Sequence, residues 1–274
     1  MAGQRITSTA NPRLRAVVRL RDRRERDRHG LTLVDGVRET ARALAGGAHL
    51  SEVFTAPDIE SNAQAGEVVT ALRKRNVPVH ELGREAFSKL AYGDRHDGIV
   101  AVAEMPAHSL TDLVLPSDPF IAVIEGVEKP GNLGAIMRSA DGAGLSAVIV
   151  AEPGTDLFNP NVIRASLGTI FSVPVAVTSS GELLAWLQEQ AIRIVAARVQ
   201  AAVDYTSADY RGAVALALGS EARGLSDPWA ELATASVRVP MLGVADSLNV
   251  SVTAAILFYE ALRQRRLSAP AGDA

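Results

Sequence analysis

From Phe120 onward the chain is punctuated by short, uninterrupted apolar runs, of which Phe120–Glu125, Ala147–Ala151 and Val214–Leu218 are the clearest. Such a run has no polar face to offer water. It suits a strand covered on both sides, as in a parallel sheet flanked by helices. Further strands are expected at Ser172–Val177, Ile192–Ala197 and Ser236–Pro240, with helical patterns between them at Asn132–Ala143, Asn161–Ser166 and Glu182–Gln190. The last helix, Ser247–Arg266, carries Leu248, Val252, Ala255, Ile256, Tyr259 and Leu262 at helical spacing, and its closing arginines suit the helix dipole. The fold class is α/β, a parallel sheet with helices on both faces.

The first hundred residues alternate differently. Asn11-Pro12 reads as a helix start, continued by an arginine-rich stretch to Arg28 and stopped by Gly30. Strands follow at Leu31–Asp35, Glu52–Thr55, Val77–His80 and Gly98–Glu104, with helices at Val37–Ala45, Asn62–Asn76 and Arg84–Leu90. Three prolines among Ser, Thr and Asp make 105–119 the expected linker. The division is therefore 1–104, a smaller α/β domain, and 120–274, the larger one.

What is missing limits the chemistry. There is no cysteine, and all five histidines lie at or before His108. A Ser-His-Asp site or a His- or Cys-ligated metal within the C-terminal half is thereby excluded. No apolar run is long enough to span a membrane. The opening Met1-Ala2-Gly3-Gln4-Arg5 lacks the apolar core of a secretory signal, so a cytoplasmic protein is expected. The net charge of −3 does not advertise a nucleic-acid binder, but residues 1 to 28 hold nine arginines against Asp22, Glu25 and Asp27. Such clustering can create a local positive field for RNA, or be a solvated, ion-paired helix.

Two nucleotide-binding patterns fail on context. Gly142-Ala-Gly144 has the letters of a dinucleotide fingerprint but ends a helix and leads into a strand, the reverse of what pyrophosphate binding needs. Gly126–Gly131 has phosphate-loop spacing, but Asn132-Leu133 stands where Lys-Ser/Thr is required.

Three other segments are rich in Gly and Asn at the ends of expected elements, where ligands of open α/β sheets bind. In Glu125–Arg138, Asn132 sits at an expected helix N-cap, and Arg138 projects from an otherwise apolar helix and must reach water or an anion. In Ala215–Leu225, a buried strand ends at Gly219, which allows close backbone approach to a ligand, and then presents Glu221. In Val239–Ser251, a strand ends near Pro240, a loop follows, and Ser247 is the expected cap of the last helix, with Asn249 in its first turn.

Taken together, Asn132…Arg138, then Gly219-x-Glu221-x-x-Gly224-Leu225, then Val239-Pro-Met…Ser247-Leu-Asn249-Val-Ser251 resemble the three motifs of the SpoU (TrmH-type) branch of the SPOUT RNA methyltransferases. Residues 159–174, from Asn159-Pro-Asn-Val-Ile-Arg164 to Pro174, are similar to the family's segment between motifs one and two. A fainter likeness at Ile6–Pro12 and Leu33–Gly36 is to its L30e-like substrate-binding domain. The resemblance implies a SPOUT domain with a C-terminal trefoil knot, a homodimer, and an RNA substrate. The expected RNA is 23S ribosomal RNA, with a transfer-RNA methyltransferase or a non-catalytic ribosomal RNA-binding module as alternatives. It implies S-adenosylmethionine as cofactor, held by Ala197, Leu218, Gly219, Val239, Pro240, Leu242 and Leu248, and no metal. Catalysis falls to Arg138, Asn132, Glu221, Ser247 and Asn249.

The reaction implied is in-line methyl transfer to a ribose 2′-hydroxyl, for which the protein must align and deprotonate a weak acid. A free guanidinium is a poor base. Either its site disfavours the cation, or Arg138 clamps the RNA phosphate while that phosphate or a water takes the proton. The second keeps the guanidinium charged and avoids a large desolvation cost.

Overall fold

The computed structural model describes residues 4–59, 62–92 and 97–268; Met1–Gly3 and His96, used above, lie outside them. Contacts divide the chain into two units, residues 1–106 with 158–172, and residues 107–157 with 173–274.

The first unit is built on a five-stranded mixed sheet of order β1-β4-β3-β5-β2. Its strands are β1 (Arg5–Ile6), β2 (Leu31–Asp35), β3 (Leu50–Thr55), β4 (Val79–Leu82) and β5 (Ile99–Glu104); its first helices are α1 (Pro12–Arg19), α2 (Arg23–His29), α3 (Val37–Ala45), α4 (Ala63–Lys74) and α5 (Arg84–Leu90). The strand β1 was not foreseen; its two residues, paired with β4, carry no periodicity. The arginine-rich stretch is not one helix. Arg26, only 1% exposed, turns back to donate to the carbonyls of Leu20 and Arg21 at 2.9 and 2.8 Å. Asp22 caps the second helix by accepting from Arg24 N at 2.8 Å. A buried cation that satisfies the carbonyls ending α1 fixes the corner.

Residues 158–172, expected within the larger domain, pack with this first unit. They form α7 (Pro160–Ala165) and a 3₁₀ turn, Thr169–Phe171. Thr32 Oγ1 donates to Phe158 O at 2.7 Å and Arg42 to Leu167 O at 2.9 Å. Gly168, at φ +83°, lies so close that a Cβ would come within 3.0 Å of Glu39 Cα. Arg164 donates to Tyr92 O and lies 3.9 Å from Asp35. Burial pushes the Asp35 carboxyl up to about 6, against the lowering pull of the Tyr92 N–H and Arg164.

The second unit holds a seven-stranded, all-parallel sheet of order β10-β12-β9-β11-β6-β7-β8. Its strands are β6 (Phe120–Glu125), β7 (Ala147–Ala151), β8 (Val175–Thr178), β9 (Arg193–Ala197), β10 (Val203–Asp204), β11 (Val214–Leu218) and β12 (Ala235–Arg238). The central runs are buried end to end, as their composition demanded. Helices α8 (Ser180–Glu189) and α9 (Asp227–Leu232) cover one face, where Leu183, Leu187 and Trp229 join Ile121, Val123 and Ile149 in one core. The helices α6 (Pro130–Ala143) and α10 (Val250–Ser268) pack together, and Phe258 of α10 meets Phe120 of β6 edge-on at 6.1 Å. Residues 107–119, expected as linker, belong to this unit. Leu110, Leu113 and Leu115 pack on its core, and Ser109 with Asp112 closes a capping box. Strand β10 and helix α9 were not foreseen; both are short.

Among the described residues, no helix is long and apolar enough to cross a membrane.

Candidate functional site

Strands β9, β11 and β12 are neighbours, and their carboxyl ends open into a cavity of about 320 Å³. That is near the lower end of the range for small-molecule sites. Ala197, Leu218, Gly219, Val239 and Leu248 line it, joined by Ser247 and Glu221. Pro240 is outside the lining, and Leu242 stands 99% exposed in the loop 239–249. The walls are mixed. Val237, Met241 and Leu257 give an apolar side, and Arg198, Arg223 and Asp246 bring charge of both signs.

Gly219 is also required by the fold itself. A Cβ there would lie 2.0–2.2 Å from backbone atoms of Gly224 and Leu225. The close approach is made by the chain's own turn, closed by Gly224 N donating to Ser220 O at 2.9 Å. Glycine is needed to fold this wall of the cavity, before any ligand enters.

At the edge of the cavity three polar side chains from distant segments meet. Pro130 begins α6 and Lys129 occupies the N-cap position, so Asn132 lies inside the first turn instead of capping it. Its amide is free to donate, through Nδ2, to Glu221 Oε1. Asn249, not Ser247, precedes the last helix. Its Oδ1 accepts from Ser251 N at 2.9 Å and Ser251 Oγ at 2.6 Å. A backbone N–H can only donate, so this contact fixes which end of the Asn249 amide is oxygen. Its Nδ2 must then face the other way, where it donates to Asn132 Oδ1 at 3.1 Å and Glu221 Oε1 at 3.3 Å. The orientation of Asn132 follows in turn. Lys129 Nζ lies 3.9 Å from the remaining oxygen of Glu221. Two amides and a carboxylate thus tie α6, the 219–224 turn and the start of α10 together. Lys129 and Ser251 were not singled out from sequence, although both stand within or beside the motifs.

Arg138 is not part of this cluster. It is exposed on α6, six residues beyond Asn132, with no hydrogen bond or ion pair among the described residues. Six helical residues advance about 9 Å and rotate to a position roughly 120° away. The chain therefore brings Asn132, Glu221 and Asn249 together, sets Ser247 in the cavity wall, and leaves Arg138 pointing elsewhere.

A second carboxylate ends strand β6, the neighbour of β11. Glu125, at the end of β6, is buried and accepts from Ser226 N, Ser226 Oγ and Ser180 Oγ at 2.7 Å and from Trp229 Nε1 at 2.9 Å. Burial pushes its carboxyl up, but these hydrogen bonds outweigh that and hold it below the usual range.

Residues 119–259 match the SpoU rRNA Methylase family, and residues 11–101 match the MRM3-like substrate binding domain. The 23S rRNA (uridine(2479)-2′-O)-methyltransferase of Streptomyces viridochromogenes is 32% identical over 273 residues, 96% of this chain and 93% of that protein. The crystal structure of an RNA 2′-O ribose methyltransferase superposes with a TM-score of 0.84 at 43% identity, covering 96% of this chain and 99% of the other. The AdoMet-bound rRNA methyltransferase of Sinorhizobium meliloti superposes with a TM-score of 0.86 at 29% identity, covering 96% and 98%.

Proposed function

This chain belongs to the SpoU rRNA methylase family, and we propose that it methylates a ribose 2′-hydroxyl of 23S ribosomal RNA in the cytoplasm, as a homodimer. The observation that carries the reading is the Asn132–Glu221–Asn249 network at the edge of a cavity built by strand ends. S-adenosylmethionine supplies a methyl group already activated as a sulfonium. The cavity fits it: apolar walls suit an adenosine, and walls charged in both signs suit the amino acid end and the sulfonium. Ala197, Leu218, Gly219, Val239 and Leu248 would hold it, with Pro240 and Leu242 added by the loop 239–249. That loop and α10 form the trefoil knot of the family.

The protein's own task is to place and deprotonate the hydroxyl. Asn132 and Glu221 orient the ribose, and Ser247 and Asn249 hold the sugar and the loop in register. Arg138 grips the phosphate beside the reacting nucleotide with its planar fork, and that phosphate or a water takes the proton. Arg138 reaches the site from the second copy. Its direction on α6, away from Asn132, supports this, and so do the uncovered apolar side chains Leu242 and Val244 in the loop and Val252 and Tyr259 on α10. The N-terminal unit is the substrate-binding domain.

Co-expression of Arg138→Ala and Asn132→Ala protomers tests the arrangement. Each homodimer should be inactive in methyl transfer to 23S rRNA. The mixture should recover roughly a quarter of wild-type activity, because half the dimers are mixed and each has one intact site. No recovery would place Arg138 in its own chain's site. No transfer by wild type, and no difference in 23S rRNA ribose methylation between cells with and without the gene, would overturn the functional reading.

A further inference from the structure

The N-terminal arginines divide into two groups. Arg5 pairs with Glu81 at 3.1 Å, Arg13 with Glu52 at 3.0 Å and Arg23 with Asp27 at 3.5 Å. Arg21 donates to the carbonyls of Leu90 and Ala91 at 3.1 and 2.6 Å and lies over the Tyr92 ring. Arg26 is spent on the corner between α1 and α2. The acids of the stretch are engaged too: Asp22 caps α2, Glu25 lies 3.7 Å from His29, and Asp27 faces Arg23. What remains is Arg15 and Arg19 on α1 and Arg24 and Arg28 on α2. All are exposed and without a side-chain hydrogen bond or ion pair among the described residues.

Each pair is spaced i,i+4, so its two guanidinium groups leave the same face of their helix. Like charges at that spacing oppose helix formation, and helices as short as these have little to spare. The alternative is present in the same helix, where Arg23–Asp27 uses the spacing for opposite charges. Asp22 and Glu25 border the same hollow as Arg24 and Arg28 without bonding their guanidinium groups, and two pairs that lack a bonded counter-charge are accounted for by an anionic partner that neutralises both members at once. We infer that Arg15, Arg19, Arg24 and Arg28 form a phosphate-contacting surface that grips the RNA backbone. This rests on the RNA substrate proposed above. Guanidinium forks match phosphate oxygens, and such contacts position a nucleic acid without reading its sequence. A membrane surface fits less well. No large apolar side chain is exposed among the described residues 4–30, and an interfacial helix needs an apolar face.

The test uses the full-length protein and unmodified 23S rRNA transcribed in vitro, with affinity measured from 50 to 200 mM KCl. Arg15, Arg19, Arg24 and Arg28 are replaced together by Gln, and a comparator carries Arg5→Gln and Arg23→Gln. Each lost phosphate contact should flatten the slope of log affinity against log salt by about 0.7–0.9, so the quadruple variant should lose about 3. The wild-type advantage should then shrink roughly 60-fold across that salt range. The comparator should keep the wild-type slope, and AdoMet affinity and the methylated nucleotide should be unchanged in both. Equal slopes for wild type and quadruple variant would overturn the inference, as would a comparator that loses as much per charge. Should the quadruple variant fail to bind AdoMet, Arg15→Gln with Arg19→Gln alone must still flatten the slope by about 1.5. A wild type that transfers no methyl group fails the functional reading, while the slope comparison, a binding measurement, still decides this one.

Discussion

The amide network makes a prediction that depends on which atom donates to which. Asn132→Asp changes almost no volume but replaces the donor facing Glu221 Oε1 with a carboxylate oxygen. Two carboxylates would then share one site. At about 4 Å two unit charges repel by roughly 4 kcal/mol at an effective dielectric of 20 and roughly 1 kcal/mol in water. The Glu221 side chain is 29% exposed, which places the cost between those limits, near 2 kcal/mol. Spent on displacing the new carboxylate at position 132 from the ribose, that is roughly a 30-fold loss in kcat/KM. Glu221→Gln alone should be milder, about 5-fold, because its oxygen still accepts from both amides, and what goes is the charge assistance and the ion pair with the exposed Lys129. Combining the two should rescue the first. The new side-chain amide at position 221 can donate to the new carboxylate at position 132, Asn249 Nδ2 still finds acceptors, and one net negative charge is restored. The double variant should transfer methyl groups at close to the rate of Glu221→Gln. The assay is transfer of labelled methyl from S-adenosylmethionine to in vitro 23S rRNA, with calorimetric cofactor affinity and a urea midpoint as controls. Additive losses in the double variant, with the fold intact, would show that the two residues act separately and would refute the reasoning.

Further outcomes follow from single side chains. Arg138→Lys should lose most of its transfer activity with cofactor affinity within several-fold, since a point charge lacks the planar fork; near-normal turnover would refute the clamp. Gly219→Ala should disrupt the 219–224 turn and weaken AdoMet binding at least tenfold, because its Cβ meets backbone; calorimetry with unchanged affinity would contradict this. Glu125→Gln should destabilise the second unit by about 2–4 kcal/mol at neutral pH, because it puts an amide N–H₂ among donors. The depressed carboxyl of Glu125 stabilises the fold above the ordinary glutamate range and ceases to do so as pH falls through its lower folded value, so urea midpoints of variant and wild type should converge in acid. Asp35 works in the opposite sense: with its carboxyl at about 6, wild-type stability should fall as pH rises from about 4 to 6. Asp35→Asn should therefore be the more stable protein at pH 8, by about 1–3 kcal/mol in urea unfolding, with no advantage at pH 4.

The central sheet was legible because its strands are buried on both faces and therefore carry uninterrupted apolar runs, with Val214–Leu218 and Ala147–Ala151 recovered to the residue. The corner at Leu20–Asp22 was not. It depends on Arg26 entering the protein to bind two carbonyls, and an arginine in an arginine-rich run looks in sequence like its solvated neighbours. The packing of residues 158–172 with the first unit was hidden for a related reason. Phe158, Val162, Ile163 and Phe171 announce burial, but apolarity does not say in which core, and the packing with the first unit is set by contacts such as Thr32 with Phe158 and Arg42 with Leu167.

At the site, residue types were legible and bonding was not. Asn132 read as a cap because Asn at a strand-to-helix junction usually is one, yet Pro130 had already claimed the first helical position, which moves the cap to Lys129. An Asn released from capping in a first turn has a free amide, and the nearby strand end supplies Glu221 to receive it. The position of Arg138 could have been argued from spacing alone. Residues six apart on a helix cannot share a face. A site that needs both Asn132 and Arg138 therefore needs either a ligand wrapped around α6 or a second α6. Val252 and Tyr259, exposed on α10, the helix that packs against α6, are where the proposed second copy would bring its own α6.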